Sequence, residues 1–495
     1  MPAPDVAALL TELERSDPDV ADDARIAVEW LTGGEPLETI TQLDVCEFLW
    51  YTLPLKVTGD HGDIARALGR LLRLGGMDRY AALCASPATS QILRTYDREG
   101  EDAGTAAYQR ALGATGVLPP DVPELLWSSI MGPEELGAHL ACSAALELAI
   151  VSGELEPAAT TWKAQAEALT RRWLTAPRSE LGGDNWLNRV HGERLNRWVL
   201  GRGAARRELA QPFEVRLHAP IPAPEGSHFA ALRWLLEMAA RPGGVPLTQR
   251  HNIARAIVVE GAARFGWEMA PTRSENGVTA LRTLRRVAEH EMEAVRRTGR
   301  RLLITPAGER LLDDPAALWQ AASSSLLTPA AGEREMEMSV REVGLMLLTD
   351  ARELPCGSLA ERVTEVVVGE GWRTATPADV LRPLAELRNR LEAFDLCLPA
   401  AEPPSAAGGP PFPGPATGGA PSSSPGPATG GAPSSASGPA TGGASSSASG
   451  PATGGASEAL SCGATLATLT PAGRAAALTA LRGQALRPRQ YVTLT

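Results

Sequence analysis

Lysine is almost missing from this chain. Of 47 basic side chains only Lys56 and Lys163 are lysines, and the others are arginines, a bias expected first from GC-rich coding. Aromatic residues make up 4%. Ala, Leu, Arg and Glu dominate instead, and these are helix formers, so the composition predicts a mostly α protein. The six cysteines (Cys46, Cys84, Cys142, Cys356, Cys397 and Cys462) are scattered with no C-x-x-C pair, which excludes the usual zinc and redox motifs and predicts free thiols. The longest apolar stretch, Leu136 to Val151, holds His139 and Glu147 and reads as too short to span a bilayer. Met1-Pro-Ala-Pro-Asp5 has no basic n-region. A cytoplasmic protein without a membrane segment is the expectation.

Catalytic signatures are lacking too. No P-loop, nucleophile elbow or Ser-x-x-Lys motif falls in the segments expected to fold. His290-Glu291-Met292-Glu293-Ala294 starts like a zinc-protease helix, but Ala294 stands where the second histidine is required. Leu181-Gly182-Gly183-Asp184 is too short to cradle a phosphate and reads as a turn. His191, near Asp184 and Glu193, reads as an acid/base candidate or, by the more ordinary reading, a structural histidine. The expectation is no enzyme, no cofactor and no metal.

What is present is an uneven charge. Residues 1–160 carry 10 basic and 26 acidic side chains, whereas residues 161–330 carry 25 and 17. An acidic region beside a basic one implies either contact between the two or a basic face for an anionic partner. The Arg- and Trp-rich stretch 186–207 fits either an anionic-partner surface or an amphipathic helix. In the helix reading Trp186, Leu187, Val190 and Trp198 face inward and the arginines are solvated.

The chain also contains one pattern twice. Gly266-Trp267, a helix around Leu281 and Leu284, and Ile304-Thr305-Pro306-Ala307-Gly308 recur as Gly371-Trp372, Leu381 and Leu384, and Leu469-Thr470-Pro471-Ala472-Gly473. In the second copy the spacing from Trp to Thr is 98 positions against 38, because a Pro/Gly/Ser/Ala tract intervenes. Gly-Pro-Ala-Thr-Gly-Gly-Ala repeats there from Gly414, Gly426, Gly438 and Gly450. With so few apolar or charged side chains the tract is expected to stay disordered, and lengthening a hairpin tip this much costs only about 2 kcal/mol.

The resulting division is a multi-helical N-terminal domain (1–175), a basic helical region (176–245), a module at 246–328, and a second module at 336–400 plus 460–495 interrupted by residues 401–459. Ala138 to Val151 reads as a central buried helix, and Phe213 to His218 as a possible strand. In the first module Thr248 is expected to cap a helix to about Arg264, followed by a helix over 278–290 and a hairpin turning at Thr298-Gly299. Thr305-Pro306 and Asp314-Pro315 should each open a helix. In the second, Ser358 to Glu361 reads as a capping box and Thr376-Pro377 as a helix start. Residues 393–398 should pair with 464–469.

Helix, helix, hairpin is the order of a winged-helix module, a helix-turn-helix variant. Its candidate nucleic-acid-binding residues are Arg282, Arg285 and Arg286 on the second helix and Arg296, Arg297, Arg300 and Arg301 on the wing, with Glu289, Glu291 and Glu293 between them as opposing charges. Asp44-Val-Cys-Glu-Phe48 with Leu53-Pro-Leu-Lys-Val57, and the recurring Thr-Pro-Ala-Gly segment after a hairpin, resemble mostly helical actinobacterial proteins with winged-helix-like modules. That grouping has no established activity, so the resemblance implies architecture and a bacterial cytoplasmic setting. Three functions remain open: a DNA-binding regulator, an interaction scaffold for an anionic protein partner, and an enzyme of unrecognised type.

Overall fold

A computed structural model of the chain describes residues 5–157, 159–329, 332–350, 356–372, 377–398 and 468–490. The repeats at 401–459, expected to be disordered, lie outside the described residues. The architecture is mostly helical with one three-stranded antiparallel sheet among the described residues.

Eight helices come first: α1 (Val6–Ser16), α2 (Pro18–Thr32), α3 (Gln42–Glu47), α4 (Leu53–Lys56), α5 (His61–Leu74), α6 (Asp78–Cys84), α7 (Pro87–Glu99) and α8 (Glu101–Ala114). They enclose a core running from Leu13 to Val117. In α5 the Asp60 carboxylate accepts from the Asp63 amide, Ile64, Leu68, Leu71 and Leu72 point inward at helical spacing, and Gly75 ends the helix.

Next come α9 (Pro133–Ser152), α10 (Trp162–Thr175) and α11 (Trp186–Leu200), packed on α9 through small cores around Cys142 and Val190 and around Leu146 and Leu169. α9 departs from the buried helix expected. Glu135, Ala138, Cys142, Leu146 and Ala149 are enclosed, but Leu136, Leu140, Leu148 and Val151 form an open apolar stripe on the other side. At 20 residues it is also long and apolar enough to cross a membrane by length and composition. Its two inward carboxylates, Glu135 and Glu147, are hydrogen-bonded inside the protein.

The remaining elements share one continuous core from Leu195 to Ala485. They are α12 (Ala204–His218), α13 (Ala230–Ala240), β1 (Val245–Pro246), α14 (Arg255–Phe265), α15 (Thr279–Arg286, continued by a π-helical turn at Val287–Glu291), β2 (Val295–Thr298), β3 (Arg301–Ile304), α16 (Pro306–Asp313), α17 (Pro315–Ser324), α18 (Glu335–Asp350), α19 (Cys356–Gly369), α20 (Pro377–Ala393) and α21 (Pro471–Ala485). The sheet order is β1-β3-β2, with Val245 opposite Leu302 and Val295 opposite Ile304.

Several local expectations are corrected. Phe213 to His218 is the end of α12, not a strand: Phe213 and Leu217 are buried four positions apart, and Val215 between them is 84% exposed. Thr248 does not cap α14. Its hydroxyl accepts from the Asn252 amide in a turn that precedes the helix. The hairpin tip is Gly299-Arg300, one residue later than expected, because Thr298 still pairs with Arg301 and Gly299 takes the left-handed conformation at the first tip position. Ser358 lies inside α19, which starts at Cys356. By contrast, Thr305 and Asp314 cap α16 and α17 as expected, accepting from Gly308 and from Ala316 and Ala317.

The two stretches flanking the repeat tract do meet. Cys397 bridges Leu469 antiparallel, the Leu398 amide donates to the Thr468 carbonyl at 2.9 Å, and the Thr470 amide donates to the Leu396 carbonyl at 3.0 Å. Of the strand expected over 393–398 only Leu396 to Leu398 pair, because Ala393 ends α20 and Phe394 and Asp395 form a turn; the expected partners 464–467 lie outside the described residues.

Candidate nucleic-acid interface

The hairpin β2–β3 stands on a tightly turned loop. Gly243 and Gly244 both have positive φ, and a Cβ on Gly244 would overlap the Leu302 carbonyl, so only glycine lets β1 come alongside β3 here. The Leu247 amide then donates to the Arg300 carbonyl at 2.9 Å. Val295 and Leu302 turn to the core, while Arg296 and Arg301 share the opposite face and Arg300 sits at the tip.

Arg296, Arg297, Arg300 and Arg301 are all exposed. None has a carboxylate partner among the described residues. Like charges on neighbouring strands repel, and this hairpin holds four of them with no compensating carboxylate among the described residues. The loop beside it adds Arg241, Arg250 and Arg255, also exposed and without an ion pair among the described residues. The Arg301 guanidinium lies against Gly243, two residues from Arg241. These three arginines were not among the sequence candidates. Their signal was an acid-free run between Glu237 and Glu260, but only strand pairing shows that the run borders the wing.

The three candidates on α15 fare differently. Arg285 is 13% exposed; its guanidinium bonds Glu275 at 3.0 Å, Glu289 at 3.2 Å and the His251 carbonyl at 2.7 Å, fastening the β1–α14 loop to the helix. Arg286 is paired with Glu386 of α20. Only Arg282 is exposed and unpaired among the described residues. The structure therefore keeps the four wing arginines together in solvent and takes Arg285 and Arg286 into ion pairs. Of the opposing carboxylates, Glu289 and Glu291 are bound to Arg285 and Arg390, and Glu293 alone is exposed at the hairpin base.

In the 186–207 stretch Arg189, Arg202 and Arg207 are exposed as the amphipathic reading expects, but two arginines depart from it. Arg194 and Arg206 are fully buried. Arg194 meets Glu135 at 2.5 Å, and Arg206 meets Glu342 at 2.7 Å and Glu370 at 3.0 Å. Burial of the guanidinium requires a buried carboxylate beside it, and all three partners come from distant parts of the chain. Arg171 and Arg189 pair with Glu124 and Glu134. Arg171, Arg189 and Arg194 thus answer carboxylates of the acidic N-terminal region, whereas Arg206 answers Glu342 and Glu370.

His191 is buried. Its Nε2 faces the Glu124 carbonyl at 3.3 Å and its Nδ1 faces Arg482 at 3.4 Å. Burial, with Arg482 beside it, lowers its pKa to about 4. It lines neither of the two described concavities, which lie among α2, α5, α6 and α7. No group of His, Cys, Asp or Glu among the described residues has the makings of a metal site. No protein-family model, curated protein or solved structure matches this chain.

Proposed function

We propose that this chain is a non-enzymatic binding protein that contacts duplex DNA through a winged-helix-like module at α13–β3. The support for the module is its order: helix, short strand, two helices, then a hairpin, with the first strand on the far side of the hairpin's second strand. The observation that carries the DNA reading is the wing itself. Arg296, Arg297, Arg300 and Arg301 are exposed with no ion pair among the described residues, in a molecule that pairs many of its other arginines.

A second winged-helix-like module, α18–α21, is supported by paired local details. Gly266 and Gly371 both have positive φ, and Trp267 and Trp372 each donate an amide to the carbonyl five residues back. Glu293 and Asp395 are both left-handed just before the residue whose carbonyl accepts from Thr305 or Thr470. Such coincidences fit an internal duplication within the mostly helical actinobacterial grouping that the sequence resembles.

The test is fluorescence anisotropy with a 20-base-pair duplex across a salt series. The wild-type chain binds at low salt, and its affinity falls linearly on a log–log plot, at about 0.9 per neutralised phosphate. The Arg296/Arg297/Arg300/Arg301→Ala variant loses most of that slope. Absence of binding at low salt, or an unchanged slope in the variant, rejects the reading. An acidic protein partner is the alternative, favoured by the many guanidinium–carboxylate pairs this chain already makes; pull-down with the same variant then distinguishes it.

A further inference from the structure

We infer that the duplex is held by the hairpin and the β1 loop alone, with α15 kept out of the groove, so that binding is independent of base sequence. This rests on the DNA reading above and concerns how that site engages its ligand. In a helix-turn-helix the second helix lies in the major groove and reads base edges. For that it needs a free polar side turned away from its own core.

The side of α15 turned away from its own core is narrow: Thr279 and Arg282 are exposed there, but Arg285 and Arg286 are held in ion pairs. Leu281, Leu284 and Ala288 face the module core. Thr283, about 200° around the helix from Leu281 by helical geometry, is 5% exposed, and α20 packs against α15. Arg286 bonds Glu386 of α20, and Arg390 of α20 grips Glu291 with both carboxylate oxygens, at 2.7 and 2.9 Å. The helix that would read DNA in the first module is thus clamped to its counterpart in the second. Two helices side by side, with axes roughly 8–10 Å apart, present a front of about 20 Å. The major groove is about 12 Å wide. Arg282 is the one unpaired cation of α15 among the described residues.

What projects freely is the wing with Arg296, Arg297, Arg300 and Arg301, and beside it Arg241. Guanidinium contacts to phosphate fix position and carry no base information. A sequence-independent grip on the duplex backbone follows.

The experiment measures Kd by anisotropy for four 20-base-pair duplexes of unrelated sequence, with wild type, Arg282→Ala and Arg241/Arg296/Arg300/Arg301→Ala, each checked for an unchanged circular dichroism spectrum. The expected result is agreement within about threefold across sequences, no change for Arg282→Ala, and at least a tenfold loss for the wing variant. A preference above tenfold for one sequence in a broader selection, or a loss in Arg282→Ala as large as in the wing variant, overturns the inference while leaving DNA binding standing. No duplex binding by wild type at low salt instead removes the DNA reading on which it depends.

Discussion

Arg194, Arg206, Arg341 and Arg390 are sealed inside this protein, each against one or more glutamates. A buried pair of this kind contributes little against an apolar replacement, but losing one member leaves a charge without compensation. Arg194→Ala leaves the buried Glu135 carboxylate with only the Ser128 amide and hydroxyl and no cation, and should lower stability by about 3–5 kcal/mol in urea unfolding. The double change Arg194→Met/Glu135→Leu should recover most of that loss. The histidines give a pH signature. Burial holds the pKa of His139 and His191 at about 4, below the ordinary 6.5. The unfolded chain therefore takes up these protons first as the pH falls. Their contribution is complete above about pH 6.5 and declines toward pH 4, at about 1.4 kcal/mol per pH unit for each proton. His191→Gln should flatten the fall in unfolding free energy between pH 6.5 and pH 4.5; equal slopes in variant and wild type would contradict a neutral buried His191. Composition made the arginine excess legible, but not which arginines lie inside, because burial depends on carboxylates such as Glu135, distant in sequence and adjacent only after folding.

At the scale of elements, local chemistry was readable wherever a side chain caps its own helix. Thr305-Pro306 and Asp314-Pro315 announce α16 and α17, and Thr470-Pro471 announces α21. Reading failed where two periods coincide, as at Phe213 to His218, or where a cap-like residue serves a turn, as at Thr248. The glycine of each Thr-Pro-Ala-Gly segment gives a sharp test. A Cβ on Gly308 would overlap the Ala294 carbonyl, and one on Gly473 would overlap the Leu396 carbonyl. Gly308→Ala and Gly473→Ala should each lower the melting temperature by several degrees, an overpacking cost of roughly 1–3 kcal/mol. Alanine tolerated at one site and not the other would argue that the two turns are not equivalent.

For the molecule as a whole, the helical class and the opposed charges were legible, and the way those charges meet was not. The acidic N-terminal region is fastened to the rest by a short segment after α21. The Arg489 amide donates to the Ser128 hydroxyl at 2.9 Å, the Ser129 amide donates to the Arg489 carbonyl at 2.7 Å, and Arg194 reaches the Leu486 carbonyl at 2.7 Å. Removing residues 486–495 should leave α21 in place and raise hydrogen exchange at residues 124–136, read by mass spectrometry; unchanged exchange there would show that the segment holds nothing. Partner identity was not legible, since exposed arginines specify charge and not what supplies its complement.

The hydrogen bond from the Leu398 amide to the Thr468 carbonyl has one more consequence. It places the two ends of residues 399–467 at the same point of the fold, so the covalent link through them is not what holds α21 against α17 and α18. That work falls to the strand pairing and to Ala476, Ala477, Ala480, Leu481 and Ala485. The protein is in this sense already a two-piece assembly. Fragments 1–398 and 468–495, made separately and mixed, should find each other and restore the complete core, as a naturally split protein does.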